Sequence, residues 1–227
     1  MAIMELLDSY HYLNTELADK RTEDWPLIRS PVSLILVTLV YLYFVIRWCP
    51  NYMKEKQPYS FKTFIKFYNL FQIVANALLV HHMLDAGWYQ DYFLSCVHLD
   101  YSLDPKAYKF AKISWYLFAL KLIDYIETVL FVLRKKNRQV SFLHLYHHVT
   151  TALFAWWIVK YSANGMSMTA MLVNCSIHVI MYTYYLLSSF GSGIQRRLQT
   201  IKPMITMAQM VQFVGLMTHA SYMILTR

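Results

Sequence analysis

Three histidines, His144, His147 and His148, lie together in the segment HLYHH. Their spacing of i, i+3 and i+4 places all three imidazoles on one side of an α-helix. A neutral imidazole is a common metal ligand and also a base that titrates near pH 7. The cluster therefore indicates either a metal site or acid–base and nucleophilic chemistry. Polar groups of this kind in an apolar helix favour a functional role over a structural one.

A charged triplet, Lys121, Asp124 and Glu127, precedes the histidines in another apolar segment. Charges inside a lipid-embedded helix are costly, so these residues are candidates for function. Two compatible interpretations follow from their types. The triplet contains an internal ion pair that holds helices together, or its carboxylates orient the histidines and set their protonation.

A second set of polar side chains lies in two later apolar segments. It comprises Asn174, His178, Tyr182, Gln209 and Gln212. The tyrosine and the glutamines also fit the ordinary roles of an aromatic belt and of helix packing. Cys175, three residues before His178, raises the alternative of a Cys–His nucleophile pair. A cysteine in such a helix more often packs as a small apolar side chain.

Long apolar segments carry all of these residues. The chain has 227 residues, of which 57% are hydrophobic and 15% charged, against about 25% charged in an average soluble domain. Apolar segments near 20 residues cross a bilayer as helices, because lipid offers no partner to an open backbone. We expect one all-α polytopic membrane domain with six transmembrane helices, at residues 32–48, 67–87, 113–133, 140–159, 166–189 and 203–225.

Positive charge marks alternate loops, at 48–66, 134–139 and 190–202. The positive-inside rule places these loops in the cytosol, so the net charge of +8 indicates topology rather than nucleic-acid binding. In the second loop, Arg134, Lys135 and Lys136 also suit the capture of a phosphorylated ligand. Helical rise places the polar residues of four helices about 5 to 16 Å from their cytosolic ends. We therefore predict one polar chamber in the cytosolic half of the membrane.

Membrane oxidases of the di-iron desaturase type also carry histidine clusters, but they need several boxes. Among the nine histidines only HLYHH forms such a box, and the pair His81–His82 is too isolated to supply a second. No segment offers the Glu-x-x-His ligands of a bundle di-iron site. The cysteines Cys49, Cys96 and Cys175 have no paired spacing, so they predict neither a disulfide framework nor a zinc site. A metal-dependent oxidase is the weaker alternative, and we expect neither a metal nor a redox cofactor.

Four ordered motifs resemble those of the very-long-chain fatty-acid elongase family. The histidine box at 144–148 matches H-x-x-H-H. The preceding LRKKNRQVSF resembles the segment that comes before the box in the family. NCSIHVIMYTYY at 174–185 and TMAQMVQF at 206–213 match two later motifs. DWPLIRSP at 24–31 looks like an N-terminal signature. The resemblance extends from residue 24 to about residue 214.

Two features of the chain differ from the family pattern. The family's third-span motif is K-x-x-E-x-x-D-T, whereas the acids are exchanged here, with Asp124 before Glu127. The resemblance also implies seven transmembrane helices around a central acyl-chain tunnel. With six predicted helices, the single elongase-type domain at 1–227 is expected to end before the family's last helix.

The resemblance implies that a long-chain acyl-CoA condenses with malonyl-CoA to give 3-ketoacyl-CoA, CO2 and CoA. His147 is then expected to carry the acyl group, while His144 and His148 orient it or act as bases. His178 and Asn174 are expected to stabilise the enolate at the malonyl end. The remaining expected roles are control of histidine protonation by Lys121, Asp124 and Glu127, binding of CoA phosphates by Arg134, Lys135 and Lys136, and support by Tyr182, Gln209 and Gln212.

The resemblance further implies a protein of the endoplasmic reticulum membrane whose site opens toward the cytosol. Its expected partners are membrane lipid, the two CoA substrates and the other enzymes of the elongation cycle, with a homo-oligomer left open. Nucleic acid is not expected. A non-catalytic acyl-CoA-binding or regulatory form of a shortened elongase is the second open alternative.

Overall fold

All regular secondary structure is helical in the residues that the computed structural model describes, 2–91, 98–165 and 167–225. This confirms the all-α prediction; Cys96 lies outside the described residues. The α-helices are α1 Ala2–His11, α2 Pro31–Tyr43, α3 Cys49–Met53, α4 Lys62–Asp85, α5 Trp88–Asp91, α6 Pro105–Ile123, α7 Tyr125–Leu133, α8 Phe142–Tyr161, α9 Met168–Ser188, α10 Ser192–Leu198 and α11 Lys202–Leu225.

In the described part of the chain, three helical segments are long and apolar enough to cross a bilayer. They are Pro31–Met53, Lys62–Asp85 and Met168–Ser188. Exposure along these segments follows the pattern of a lipid-embedded bundle, since Val40 and Phe67 are each 68% exposed whereas the polar Gln72 is fully buried. The chain is therefore a multi-pass membrane protein. The count of six spans and the acyl-chain tunnel stay predictions.

Local sequence determines where two of the helices begin. Pro31 opens α2, at a position where its missing N–H has no helical partner to lose. Ser30 precedes it, and its Oγ accepts a hydrogen bond from the Val32 N–H at 3.2 Å. Asp104 and Pro105 repeat this arrangement at the start of α6.

Helix α2 continues into α3 through a π-helical turn, Phe44–Trp48. Helical structure therefore extends to Met53, beyond the predicted end at residue 48. The second residue of α3 is Pro50, which has no N–H and whose ring crowds the carbonyl four residues earlier. The missing N–H of the proline interrupts the hydrogen-bond ladder of the helix. The wider π-helical turn just before the proline accommodates this interruption.

The predicted helix at 113–133 starts earlier and is interrupted once. Helix α6 ends at Ile123 and α7 begins at Tyr125, with Asp124 between them at φ −59° and ψ −23°. The Asp124 N–H still donates to the Leu120 carbonyl at 3.0 Å, whereas the Glu127 N–H donates to the Asp124 carbonyl only three residues back, at 3.1 Å. The interruption is thus a local tightening of the ladder at a charged residue.

The chain divides into two compact units. The first consists of Met1–Ser60 and Asp100–Ala163, and the second of Phe61–Leu99 and Asn164–Arg227. In the first unit, α6 packs against α8. One apolar cluster there includes Tyr41, Cys49 and Tyr125, and another includes Phe118 and Trp156.

In the second unit, α4 packs along α9, which also contacts α10 and α11. Two pairs of side chains show that α4 and α9 run in opposite directions. The ring of Tyr68 contacts that of Tyr182 with centroids 6.0 Å apart. Near the other end, the Trp88 Nε1–H donates to Thr169 Oγ1 at 3.0 Å. The two pairs fix the register between these helices.

A segment before α2, residues 14–30, lies against the ends of α6 and α8 in the first unit; we call it the N-terminal strap. The Asp19 N–H donates to the Lys160 carbonyl at 2.8 Å, and the Thr22 hydroxyl donates to the Val159 carbonyl at 2.9 Å. The Trp156 indole N–H donates to the Leu27 carbonyl at 2.9 Å. The strap is thus held by hydrogen bonds to the last two turns of α8.

Candidate active site

The histidine box occupies the first two turns of α8. Ser141 caps this helix, since its Oγ accepts from the His144 N–H at 3.2 Å. The ring centroids of His144 and His148 are 4.3 Å apart, and those of His147 and His148 are 5.9 Å apart. His148 is buried and the other two rings are half-buried. The three imidazoles are therefore neighbours with different access to their surroundings.

Thr128 of α7 provides a hydrogen-bonding partner for the first histidine. Its Oγ1 lies 2.9 Å from Nε2 of His144. The Tyr41 hydroxyl of α2 donates to the same Oγ1 at 2.8 Å. The ring of Tyr41 is stacked on that of Tyr125, with centroids 3.9 Å apart. A buried threonine thus connects the histidine box to the packing of α2 against α7.

The two acids of the charged triplet have different partners. The Lys121 Nζ lies 3.3 Å from Oδ2 of Asp124, in a buried ion pair. The Glu127 Oε2 lies 3.8 Å from Nε2 of His148, within ion-pair range but longer than a direct hydrogen bond. The structure thus pairs Lys121 with Asp124 and brings Glu127 near His148, and the catalytic roles of the triplet stay predictions.

The basic turn that follows α7 is open to its surroundings. Lys135 and Lys136 are exposed and Arg134 is half-buried. Lys135 has a left-handed backbone, with φ of 53°, and its Nζ donates to the Lys54 carbonyl at 3.2 Å. These cations lie in the same unit as the histidine box, in the loop between α7 and α8.

The second set of predicted site residues belongs to the second unit. His178 and Tyr182 are buried on α9 with ring centroids 5.7 Å apart, and Asn174 on the same helix is half-buried. On α11, Gln212 is buried, and the Gln209 Nε2–H donates weakly to a methionine sulfur of α9 at 3.5 Å. The structure thus places His178 against Tyr182 and Gln209 against α9. A single chamber formed by both sets stays a prediction.

Sequence reasoning missed Tyr41, because its partner Thr128 lies 87 residues away and the intervening sequence gives no sign of the pairing. It also gave no role to Tyr68 and Gln72, which are buried on α4. For these two a signal did exist. They are spaced by four residues in an apolar segment, and polar groups at helical spacing inside lipid are functional candidates.

Comparison with protein families shows which family the chain belongs to. The model of the family described as ELO: GNS1/SUR4 family matches residues 26–227. The chain belongs to the GNS1/SUR4 family. The chain is 39% identical to very long chain fatty acid elongase 4 of Mus musculus, over 93% of this chain and 67% of the relative. It is 37% identical to very long chain fatty acid elongase 1 of Homo sapiens, over 90% of this chain and 73% of the relative.

A third GNS1/SUR4 relative shows how much of a family member the chain represents. It is a very long chain fatty acid elongase of Aedes aegypti, 36% identical over 96% of this chain. The aligned part covers 61% of that relative. The chain thus spans less than two thirds of its length.

Histidine, cysteine and carboxylate side chains are the donors from which a metal site would be built. Within the described ranges 2–91, 98–165 and 167–225, no group of three or more His, Cys, Asp or Glu side chains is arranged to hold a metal ion. Cys175 is buried on α9, three residues before His178.

Proposed function

We propose that this chain carries out the condensing step of very-long-chain fatty-acid elongation. In this step a long-chain acyl-CoA reacts with malonyl-CoA to give 3-ketoacyl-CoA, CO2 and CoA. The observation that carries the proposal is the cluster of three imidazoles on α8, in which His144 pairs with Thr128 and His148 faces Glu127. Membership of the GNS1/SUR4 family and relatives named very long chain fatty acid elongase support it.

The proposed nucleophile is a ring nitrogen of His147. It attacks the thioester carbon of the acyl-CoA, the C–S bond breaks, and CoA leaves as the thiol with the proton of the imidazole. Malonyl-CoA then loses CO2, and the electron pair of the broken C–C bond forms an enolate. The enolate carbon attacks the acyl-imidazole, the C–N bond breaks, and the released imidazolide takes one proton from solvent, which is the proton that the overall reaction consumes.

We assign the nucleophile to His147 and the supporting roles to the other two histidines of the box. His144 is paired with Thr128, and His148 is buried beside Glu127. A hydroxyl beside His144 and a carboxylate beside His148 suit these two rings to orientation and proton transfer. His147 is half-buried, and its backbone carbonyl accepts from the Thr151 hydroxyl at 2.7 Å.

The other proposed roles concern substrate binding. Arg134, Lys135 and Lys136 bind the phosphates of CoA, since cations in the loop between α7 and α8 offer charge-assisted hydrogen bonds. His178 and Asn174 stabilise the enolate. The imidazole route uses neither a metal nor a redox cofactor.

The test uses full-length protein in microsomes, with labelled malonyl-CoA and a panel of acyl-CoAs. We expect 3-ketoacyl-CoA from the wild type, and none from His147→Ala. Labelled acyl-CoA without malonyl-CoA should leave an acyl group on the wild-type peptide that contains residue 147, detected by mass spectrometry. Tyr146→Ala is the matched control, because Tyr146 is the preceding residue of α8 and is 56% exposed; we expect it to stay active.

Two results would redirect the proposal. Condensation that persists in His147→Ala would remove the nucleophile assignment but leave the reaction standing. Tight acyl-CoA binding by well-folded wild-type protein, without turnover, would replace the enzyme by the acyl-CoA-binding form. We further propose residence in the endoplasmic reticulum membrane with the site facing the cytosol, which protease protection of tagged microsomal protein would test.

A further inference from the structure

A row of buried polar side chains follows one side of α4. Tyr68, Gln72 and Asn76 are spaced by four residues, so they lie above one another on the helix. They are 7%, 0% and 0% exposed, whereas Phe67 and Phe71 are 68% and 46% exposed. Polar groups turned inward on a membrane-spanning helix are costly and indicate function. The proposed condensation gives none of them a role.

The row is joined by hydrogen bonds that fix the amide of Gln72. Asn76 Nδ2 donates to Gln72 Oε1 at 3.2 Å and to the Gln72 carbonyl at 2.8 Å. Gln72 Nε2 in turn donates to the Tyr68 hydroxyl at 3.0 Å. The amide of Gln72 is thus held at its oxygen and at its nitrogen, and the hydroxyl of Tyr68 is held by it.

The burial of Asn76 has a free-energy cost that helix packing alone does not explain. Its Oδ1 is buried without a hydrogen-bond partner among the residues that the structure describes. Such a group costs about 1–3 kcal/mol in stability. An apolar side chain would make α4 more stable if the helix only had to pack. The polar row is therefore retained against a stability cost, as expected of residues that serve a site.

The row reaches a predicted site residue on α9. The Tyr68 and Tyr182 rings meet edge to face, with centroids 6.0 Å apart and planes at 81°. The Tyr182 and His178 rings do the same at 5.7 Å and 67°. These are favourable arrangements for aromatic rings. One chain of contacts thus runs from Asn76 to His178, and every member of it is buried.

We propose that Tyr68 and Gln72 are positioning residues for His178. Gln72 fixes the hydroxyl of Tyr68, the fixed ring of Tyr68 limits the rotation of Tyr182, and Tyr182 holds the imidazole of His178 in one orientation. The catalytic role of His178 rests on the proposed function. The restriction of its ring does not, so the two can be tested separately.

The first experiment measures the access of reagent to His178 without any substrate. Purified full-length chain is treated with diethyl pyrocarbonate, and modification of each histidine is followed by peptide mass spectrometry. We expect Gln72→Met to raise the rate at His178 several-fold while the rate at His147, in the other unit, stays unchanged. Phe71→Met places the same substitution on the preceding, outward-facing residue, and we expect it to change neither rate.

The second experiment measures condensation by the same proteins. Loss of a group that orients a functional side chain typically lowers activity about 10- to 100-fold. We expect Gln72→Met to lower kcat within that range and to leave KM for malonyl-CoA within about twofold of wild type. Tyr68→Phe breaks the same hydrogen bond from its other end. The double variant should therefore be no slower than the slower single variant.

The outcomes separate this inference from the function on which it builds. Equal modification rates at His178 in Gln72→Met and in the wild type would overturn the positioning role, as would an equal rise at His147, which would indicate general loosening. A selective rise at His178 in a chain that performs no condensation would overturn the proposed reaction and leave the positioning role standing.

Discussion

Thr128 is the residue whose single hydroxyl serves two partners beside the histidine box. It accepts from Tyr41 at 2.8 Å and lies 2.9 Å from Nε2 of His144. Thr128→Val keeps the shape of the side chain but removes both contacts. We expect kcat for condensation to fall about 10-fold or more, because His144 loses an orienting partner. We also expect the free energy of unfolding to fall by about 1–3 kcal/mol, because the Tyr41 hydroxyl stays buried without this acceptor.

Tyr41→Phe distinguishes the two effects of that substitution. It removes the donor hydroxyl and keeps the ring that is stacked on Tyr125. The Thr128–His144 pair remains, so kcat for condensation should fall much less than in Thr128→Val. Microsomal condensation rates and thermal unfolding in detergent check both variants. A Thr128→Val protein with wild-type kcat would show that His144 needs no such partner.

Glu127 owes its contact with His148 to the length of its side chain. The carboxylate oxygen already lies 3.8 Å from Nε2, and Glu127→Asp shortens the side chain by one methylene. We expect this variant to lower kcat about tenfold, as for other groups that orient a catalytic histidine. Glu127→Gln keeps the length of the side chain and removes its charge. Its kcat should lie between those of Glu127→Asp and the wild type. Unchanged kcat in Glu127→Asp would mean that the length of this side chain has no catalytic consequence.

The sequence was most informative about residues that neighbour one another along a helix. The spacing of His144, His147 and His148 predicted one side of a helix, and their rings do lie together. It could not assign Glu127 to one histidine, since that depends on a packing distance between two helices. Nor could it pair Tyr41 with Thr128, because apolar periodicity does not specify which hydroxyls meet.

Ser141 determines where the helix of the histidine box begins. Its Oγ accepts from the His144 N–H at 3.2 Å, which satisfies one of the free N–H groups of the first turn. We expect Ser141→Ala to lower the free energy of unfolding by about 0.5–2 kcal/mol, and Ser141→Asp, which keeps an acceptor, to restore it. Thermal unfolding in detergent measures both. A fully stable Ser141→Ala would mean that tertiary contacts alone fix the start of α8.

Two predicted helices agree with the structure to within about two residues at each end, whereas α4 begins at Lys62, before its predicted start at residue 67. The predicted helix at 203–225 corresponds to α11, Lys202–Leu225, and that at 166–189 to α9, Met168–Ser188. The first predicted helix ended too early, because apolarity falls near Pro50 while a π-helical turn carries the helix past it. An apolar run indicates that a helix exists, whereas caps and local ladder geometry determine its ends.

At the scale of the whole molecule, composition predicted that the protein lies in a membrane, but it did not predict how the segments outside the apolar helices pack. A chain with 57% hydrophobic residues was assigned to a membrane, and exposed apolar helices beside buried polar rows agree with that. The N-terminal strap was not predicted. Its polar residues Asp19, Arg21 and Thr22 have an ordinary loop composition, but they make long-range contacts that only the fold reveals.

The N-terminal strap contains a buried ion pair between Arg21 and Asp19, which we expect to contribute strongly to the free energy of unfolding. Arg21 binds Asp19 through Nε and Nη2, with a shortest distance of 2.7 Å, and both side chains are almost fully buried. Arg21 also donates to the carbonyls of Ser102 and Ala163. Arg21→Met leaves the Asp19 carboxylate buried without its cation, so we expect the free energy of unfolding to fall by about 3–5 kcal/mol.

Lys20 provides the matched control for this prediction. It is the preceding residue and pairs with Glu23 at 3.7 Å, but its side chain is 62% exposed, so Lys20→Met should cost about 1 kcal/mol or less. Asp19→Leu together with Arg21→Met removes both charges and should recover much of the loss, because no unpaired charge stays buried. Tryptophan fluorescence during thermal unfolding would follow all three variants. Equal stability of Arg21→Met and Lys20→Met would show that the strap does not depend on its ion pair.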